Sequence, residues 1–175
     1  MNKASIQLEE LKNLYESGKS MNDIAIVLGV SINTIVYWMN KYNIKRRNIS
    51  EAIYIKSNPG GDPFKIKEIL SSNDYFLLGL GLGIYWGEGE KVSKYGVRVA
   101  NSDPLLINVF RKFLKNICSV SDNKIRYSIV CFNDSNPIES LKFWSLQLKI
   151  SEKKFGKIVQ IPTQGKGNYK RKSQY

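Results

Sequence analysis

Residues 18–47 read GKSMNDIAIVLGVSINTIVYWMNKYNIKRR, and the order of small, apolar and polar residues in that stretch decides the fold of the N-terminal part. Met21 to Leu28 is a helical run with Ile24, Ala25 and Leu28 on one face. Gly29-Val30 then supplies a tight turn, and Ser31 caps a further helix that runs to Asn43. Ala25 permits a close crossing, Gly29 makes the turn, and Ile35 with Trp38 seat the last helix. Those requirements in register are the helix-turn-helix spacing.

Working outward, Leu8, Leu11 and Leu14-Tyr15 recur at helical spacing and predict a first helix closed by Ser17-Gly18. On the last helix Ile35 and Trp38 must face inward, which leaves Ser31, Asn33, Thr34, Tyr37 and Lys41 outward. Asn33 and Thr34 lie near the helix N-terminus, where base edges are reached, and an Asn amide pairs best with adenine. The competing reading is that short polar residues there only satisfy the helix start. Lys45, Arg46 and Arg47 follow directly, as a basic arm suited to phosphates or an A·T-rich minor groove, or else as a solvated charge run. Residues 5–48 resemble the helix-turn-helix domains of resolvases, invertases and many bacterial regulators. The resemblance implies a recognition helix, Ser31 to Tyr42, in the major groove of DNA.

The chain of 175 residues has room for one ordinary domain or two small ones. Its 27 Lys and Arg against 15 Asp and Glu give +12, and a polyanion is the usual partner of such a surplus: nucleic acid first, an anionic membrane surface second. An apolar share of 42% is a folding composition. The absence of histidine excludes Ser-His-Asp and Cys-His catalysis, histidine-metal nucleases and Cys₂His₂ zinc fingers. Two cysteines, Cys118 and Cys131, cannot build a Cys₄ zinc site or a disulfide framework, and read as buried thiols in a reducing cytoplasm. Met1-Asn2-Lys3-Ala4 leads into no apolar leader, and the apolar run from Tyr75 to Trp86 is shorter than the roughly 18 residues that suggest a membrane span. A soluble, unexported protein without a membrane partner is expected.

Four segments are expected: a helix-turn-helix domain over 1–48, a linker over 49–73, an α+β domain over 74–161 and a basic tail over 162–175. Periodicity is weak from Asn48 to Asn73, and Ser57-Asn58-Pro59-Gly60-Gly61-Asp62-Pro63 is rich in breakers, which places the domain boundary there. Residues 74–88, DYFLLGLGLGIYWGE, form an apolar helical pattern in which Gly79, Gly83 and Gly87 share one face. Each interior glycine costs about 1 kcal/mol relative to alanine, so three on one face need close backbone packing or a site to offset them. Glu88 ends the helix where the macrodipole disfavours a negative charge, unless a metal ion or a basic partner is near.

Residues 81–89, GLGIYWGEG, resemble the LAGLIDADG motif, with Gly83, Glu88 and Gly89 at its first glycine, last acid and final glycine. Gly81, Leu82 and Trp86 depart from its first Leu, its Ala and its middle acid. In that family two such helices pack across a twofold or pseudo-twofold axis. The resemblance implies a homodimer joined along Gly79, Gly83 and Gly87, with Glu88 as catalytic ligand of Mg²⁺ and paired acids serving the two strands of a duplex. Lys91, Lys94 and Arg98 are candidates to activate water beside it.

Val97-Arg98-Val99-Ala100 predicts a strand, and Asn101-Ser102-Asp103-Pro104 starts a helix carrying Leu106, Phe110, Phe113-Leu114 and Ile117. Ile125, Tyr127, Ile129 and Cys131 alternate as a strand with Lys124, Arg126 and Ser128 on its other face, Pro137 opens a helix through Leu148, and Gly156 to Ile161 can add a strand. The result is a two-layer α+β domain whose open sheet face, carrying Arg98 and Arg126, either straddles DNA as the family's saddle does or is simply solvated. From Lys149 onward there are eight basic residues (Lys149, Lys153, Lys154, Lys157, Lys166, Lys170, Arg171 and Lys172) against one acid, Glu152, as in a phosphate-contacting tail.

Gly83-Ile84-Tyr85 lies inside a helix and no Tyr-Ile-Gly follows, which excludes a GIY-YIG nuclease. RNA is disfavoured because the narrow major groove of A-form RNA does not admit a recognition helix. Two readings remain: a sequence-specific double-stranded DNA-binding protein whose second domain dimerises and holds DNA, and a homing-type site-specific endonuclease using Mg²⁺.

Overall fold

The structure, a computed structural model, describes residues 6–163. It is α+β and mostly helical, and it divides between Asp62 and Pro63 into two compact units. The basic tail expected over 162–175 lies, beyond Thr163, outside the described residues.

The first unit holds α1 (Leu8–Glu16), α2 (Met21–Val27), α3 (Ile32–Lys41) and α4 (Ile49–Ser57). Ser20 starts α2 with a capping box: its Oγ accepts from Asp23 N at 3.1 Å, while Asp23 Oδ2 accepts from Ser20 N at 2.9 Å. Gly29, at φ +61°, ends α2, with Val30 N donating to Ala25 O and Gly29 N to Ile26 O, the paired closure that a left-handed residue allows. The axis turns by 109° between α2 and α3. Asn43, at φ +54°, repeats this closure after α3, so α3 stops at Lys41 rather than reaching Asn43. Leu11, Ile24, Ile35 and Met39 are wholly buried where α1, α2 and α3 meet, together with Ala25, Tyr15 and Trp38. Each such aliphatic side chain stabilises the unit by about 2 kcal/mol relative to exposure.

The segment expected as linker contains α4. Asn48 Oδ1 accepts from Glu51 N at 2.8 Å, and the Ile55 side chain lies against Gly18. None of its residues is buried, so apolar periodicity was too weak to reveal it, and the cap is its clearest signal. The breaker-rich stretch does coincide with the junction between the two units.

The second unit holds α5 (Ser72–Glu88), α6 (Pro104–Asn116), β1 (Val130–Phe132), α7 (Pro137–Leu148) and β2 (Val159–Ile161). A Ser71–Asp74 capping box starts α5, and Lys67 Nζ donates to Asp74 Oδ2 at 2.7 Å. Asp103 and Asn136 cap α6 and α7, each with a proline at the start of the helix. Helices α5 and α6 pack through Leu77, Leu78, Ile84 and Tyr85 against Phe110, Phe113 and Ile117. Gly81 is the glycine that permits this approach: a Cβ there would collide with the Phe113 ring.

The sheet is smaller than the sequence predicts. Among the described residues only β1 and β2 pair as strands, in parallel, with Val130 opposite Val159 and Phe132 opposite Ile161, and α7 makes the crossover between them. Residues 97–100 contribute a single antiparallel bridge, Val99 to Gly89, and Tyr127 contributes a single parallel bridge to Phe155. The alternation from Ile125 to Cys131 is nevertheless present, with Ile129 and Cys131 buried and Lys124, Arg126 and Ser128 exposed. Alternation reports which face is buried, and a ladder additionally needs a partner strand in register.

Candidate nucleic-acid interface

Helix α3 buries Ile35, Trp38 and Met39 and turns its opposite side to solvent. Asn33, Tyr37 and Lys41, at i, i+4 and i+8, form one exposed stripe, and Asn40 joins it at i+7 from Asn33. Asn40 is not among the outward residues expected from the sequence, although the helical period that sets Asn33 outward sets it outward too. Ser31 and Thr34 are turned toward each other: Ser31 Oγ accepts from Thr34 N at 3.2 Å and lies 3.0 Å from Thr34 Oγ1. Their first task is to cap α3. Tyr37 stands edge-on to Trp38 at 5.4 Å between centroids, and Lys41 Nζ lies 4.5 Å from the Trp38 ring centre. Trp38 also stacks on Tyr42, whose hydroxyl donates to Ile6 O at 2.6 Å and ties the end of α3 to the entry of α1.

The three basic residues after α3 have different surroundings. Lys45 and Arg46 are exposed. Arg47 is a fastener: its backbone N donates to the Tyr15 hydroxyl at 2.8 Å, its guanidinium donates to the carbonyls of Lys19 and Tyr15, and it lies 3.9 Å from the Tyr15 ring centre. Sequence alone treats the three cations as one arm, because nothing local distinguishes a cation that meets an aromatic ring from distant sequence.

On the second unit, Gly79, Gly83 and Gly87 share a bare face of α5, where an added Cβ would meet nothing within 4 Å. Phe76 (70% exposed), Leu80 and Trp86 (84% exposed) continue that face. Helix α5 is thus apolar on the side covered by α6 and apolar again on the side that is uncovered. Glu88 is exposed at its last turn. The cation expected at this helix end is Lys91, whose Nζ donates to Trp86 O at 2.6 Å. Among the described residues no three Cys, Asp or Glu side chains converge on a metal-sized space.

Arg98 lies outside the sheet and pairs with Glu90, Nη1 to Oε2 at 3.1 Å, while its carbonyl accepts from Glu90 N. That contact is an ion pair without hydrogen-bond alignment, since Glu90 Oε2 is buried and has no hydrogen-bond partner. Arg98 is therefore charge-balanced within its own unit. Arg126 is exposed beside the Tyr127 bridge, also outside the β1–β2 sheet, so the expected single basic sheet face is replaced by separate cations.

No helix among the described residues is by itself long and apolar enough to cross a membrane. Comparison of the chain with protein-family models, with curated proteins and with solved structures found no match.

Proposed function

We propose that the protein is a sequence-specific double-stranded DNA-binding protein, with α2 and α3 as a helix-turn-helix and α3 as the helix that enters the major groove. The observation that carries this reading is α3 itself, seated by Ile35, Trp38 and Met39 after a 109° turn and presenting Asn33, Tyr37, Asn40 and Lys41 outward. The turn falls within the range of such helix pairs, about 90–120°. Lys45 and Arg46 follow as phosphate contacts, and the surplus of +12 favours a polyanion. The exposed glycine face of α5 supports a homodimer, because an apolar helix side of this length is ordinarily covered. Two buried, unpaired thiols fit a reducing cytoplasm.

Selection from a randomised duplex library tests the reading. Wild-type protein is expected to recover a defined sequence, and Asn33→Ala to lose about 1–3 kcal/mol of discrimination at one base pair while retaining general affinity. Recovery of no preferred sequence overturns the assignment of α3.

The second reading, an endonuclease, is favoured by one observation: Glu88 stands exposed as the last residue of α5, next to Gly87 at the end of the bare face. One carboxylate does not make a metal site, but Mg²⁺ is commonly held by one or two carboxylates together with substrate phosphates. Glu88 of both chains would be needed, and the metal would activate water or stabilise the leaving oxygen. Mg²⁺-dependent cutting of the selected duplex, abolished in Glu88→Ala with binding retained, is the expected result of that reading. Binding without cutting leaves the first reading alone.

A further inference from the structure

On the second unit, several cations meet around one acid. Asp122, in the turn after α6, accepts a hydrogen bond from Lys115 Nζ at 2.6 Å. Its carboxyl is held below the ordinary carboxylate range, first by that bond and then, against the opposing effect of burial, by the charges of Lys115, Lys154 and Arg111. Arg111 is fixed in place, since Nη1 donates to Leu148 O at 2.8 Å, and its charge lies near the Tyr127 hydroxyl. Tyr127 bridges Phe155 in parallel, with the two rings 5.6 Å apart. The residues before the two rings, Arg126 and Lys154, are both exposed, and Arg126 Nη1 donates to the carbonyl of Asn123, the residue next to Asp122, at 2.5 Å.

Arg111 and Lys115 lie one turn apart on α6, Arg111 and Arg126 are held by backbone carbonyls, Lys115 is held by Asp122, and Lys154 lies close enough for its charge to act on that carboxyl. Among the described residues, the ion pair within this group is that of Lys115 with Asp122. A surface built this way has pre-ordered charges and an excess that a chain of phosphates would neutralise. It differs from the arm after α3 and from the sheet face expected from the sequence.

We infer that Arg111, Lys115, Arg126 and Lys154 form a second, sequence-independent contact with the phosphodiester backbone of duplex DNA. The ligand rests on the DNA-binding reading, but the contact does not depend on α3. It positions the second unit on the duplex, as phosphate contacts generally do, and carries no sequence information.

Binding of the full chain to a labelled random-sequence duplex across a salt series tests this, using wild type, Arg126→Gln/Lys154→Gln and Asp122→Asn, with folding checked by circular dichroism. The double variant is expected to bind more weakly, with the slope of log affinity against log salt reduced by about two. Asp122→Asn releases Lys115 and is expected to bind more tightly, with a slope steeper by about one. General destabilisation does not produce that gain. An unchanged slope in the folded double variant, or weaker binding by Asp122→Asn, overturns the inference. So does loss of binding to phosphatidylserine vesicles with duplex binding intact, which would assign the patch to a membrane surface. If patch variants change the slope while wild type shows no sequence preference, the α3 reading fails and this contact stands.

Discussion

Single residues carry two of the sharpest distinctions in this protein. Gly81 and Gly83 are neighbours on α5, yet only Gly81 faces a ring, that of Phe113. Gly81→Ala is expected to destabilise the second unit by about 1–3 kcal/mol through overpacking. Gly83→Ala places its methyl in open space and is expected to stabilise an isolated chain by up to about 1 kcal/mol through helix propensity. Thermal unfolding of the two variants checks the contrast, and equal effects would contradict the packing described. Arg46 and Arg47 form a similar pair. Arg47→Ala is expected to lower the melting temperature by removing charged hydrogen bonds worth about 1.5–3 kcal/mol each. Arg46→Ala is expected to leave melting unchanged and to weaken duplex binding.

At the scale of the element, α5 depends on its first turn. Lys67, then Ser71, hold the Asp74 carboxyl down to about 2. A carboxyl depressed in the folded state contributes stability that is complete above its unfolded value of about 4 and is lost as pH falls toward the folded value. Acid unfolding followed by circular dichroism should therefore show wild type more stable than Asp74→Asn near neutrality, with the difference closing between about pH 4 and pH 2. A difference independent of pH would mean that the charge does not matter. The two capping boxes, Ser20 with Asp23 and Ser71 with Asp74, can be read directly from sequence, because a box is closed by residues three apart. The short β1 and β2 are less legible, because their pairing joins residues 130–132 to 159–161 across α7.

For the whole molecule, the exposed face of α5 and the net charge set the expectations. If a second copy covers that face, Phe76→Lys/Trp86→Lys should remain folded and sediment as a monomer under conditions where wild type is a dimer. A monomeric wild type at all concentrations would remove the dimer from the proposal. A dimer also implies a recovered DNA site with two related halves at a spacing fixed by its symmetry.

The sequence by itself determined the turn at Gly29, the helix caps, the inward residues of α3, the apolar α5 and the cationic surplus, since each is a local pattern or a sum over residues. Tertiary structure decided which cation is a fastener and which is exposed, which glycine meets a ring and how little of the alternating segment finds a strand partner. Those outcomes depend on contacts between residues far apart in the chain: Arg47 with Tyr15, Gly81 with Phe113, Val130 with Val159. Periodicity fixes the side of an element that turns inward, but only packing fixes what meets it there.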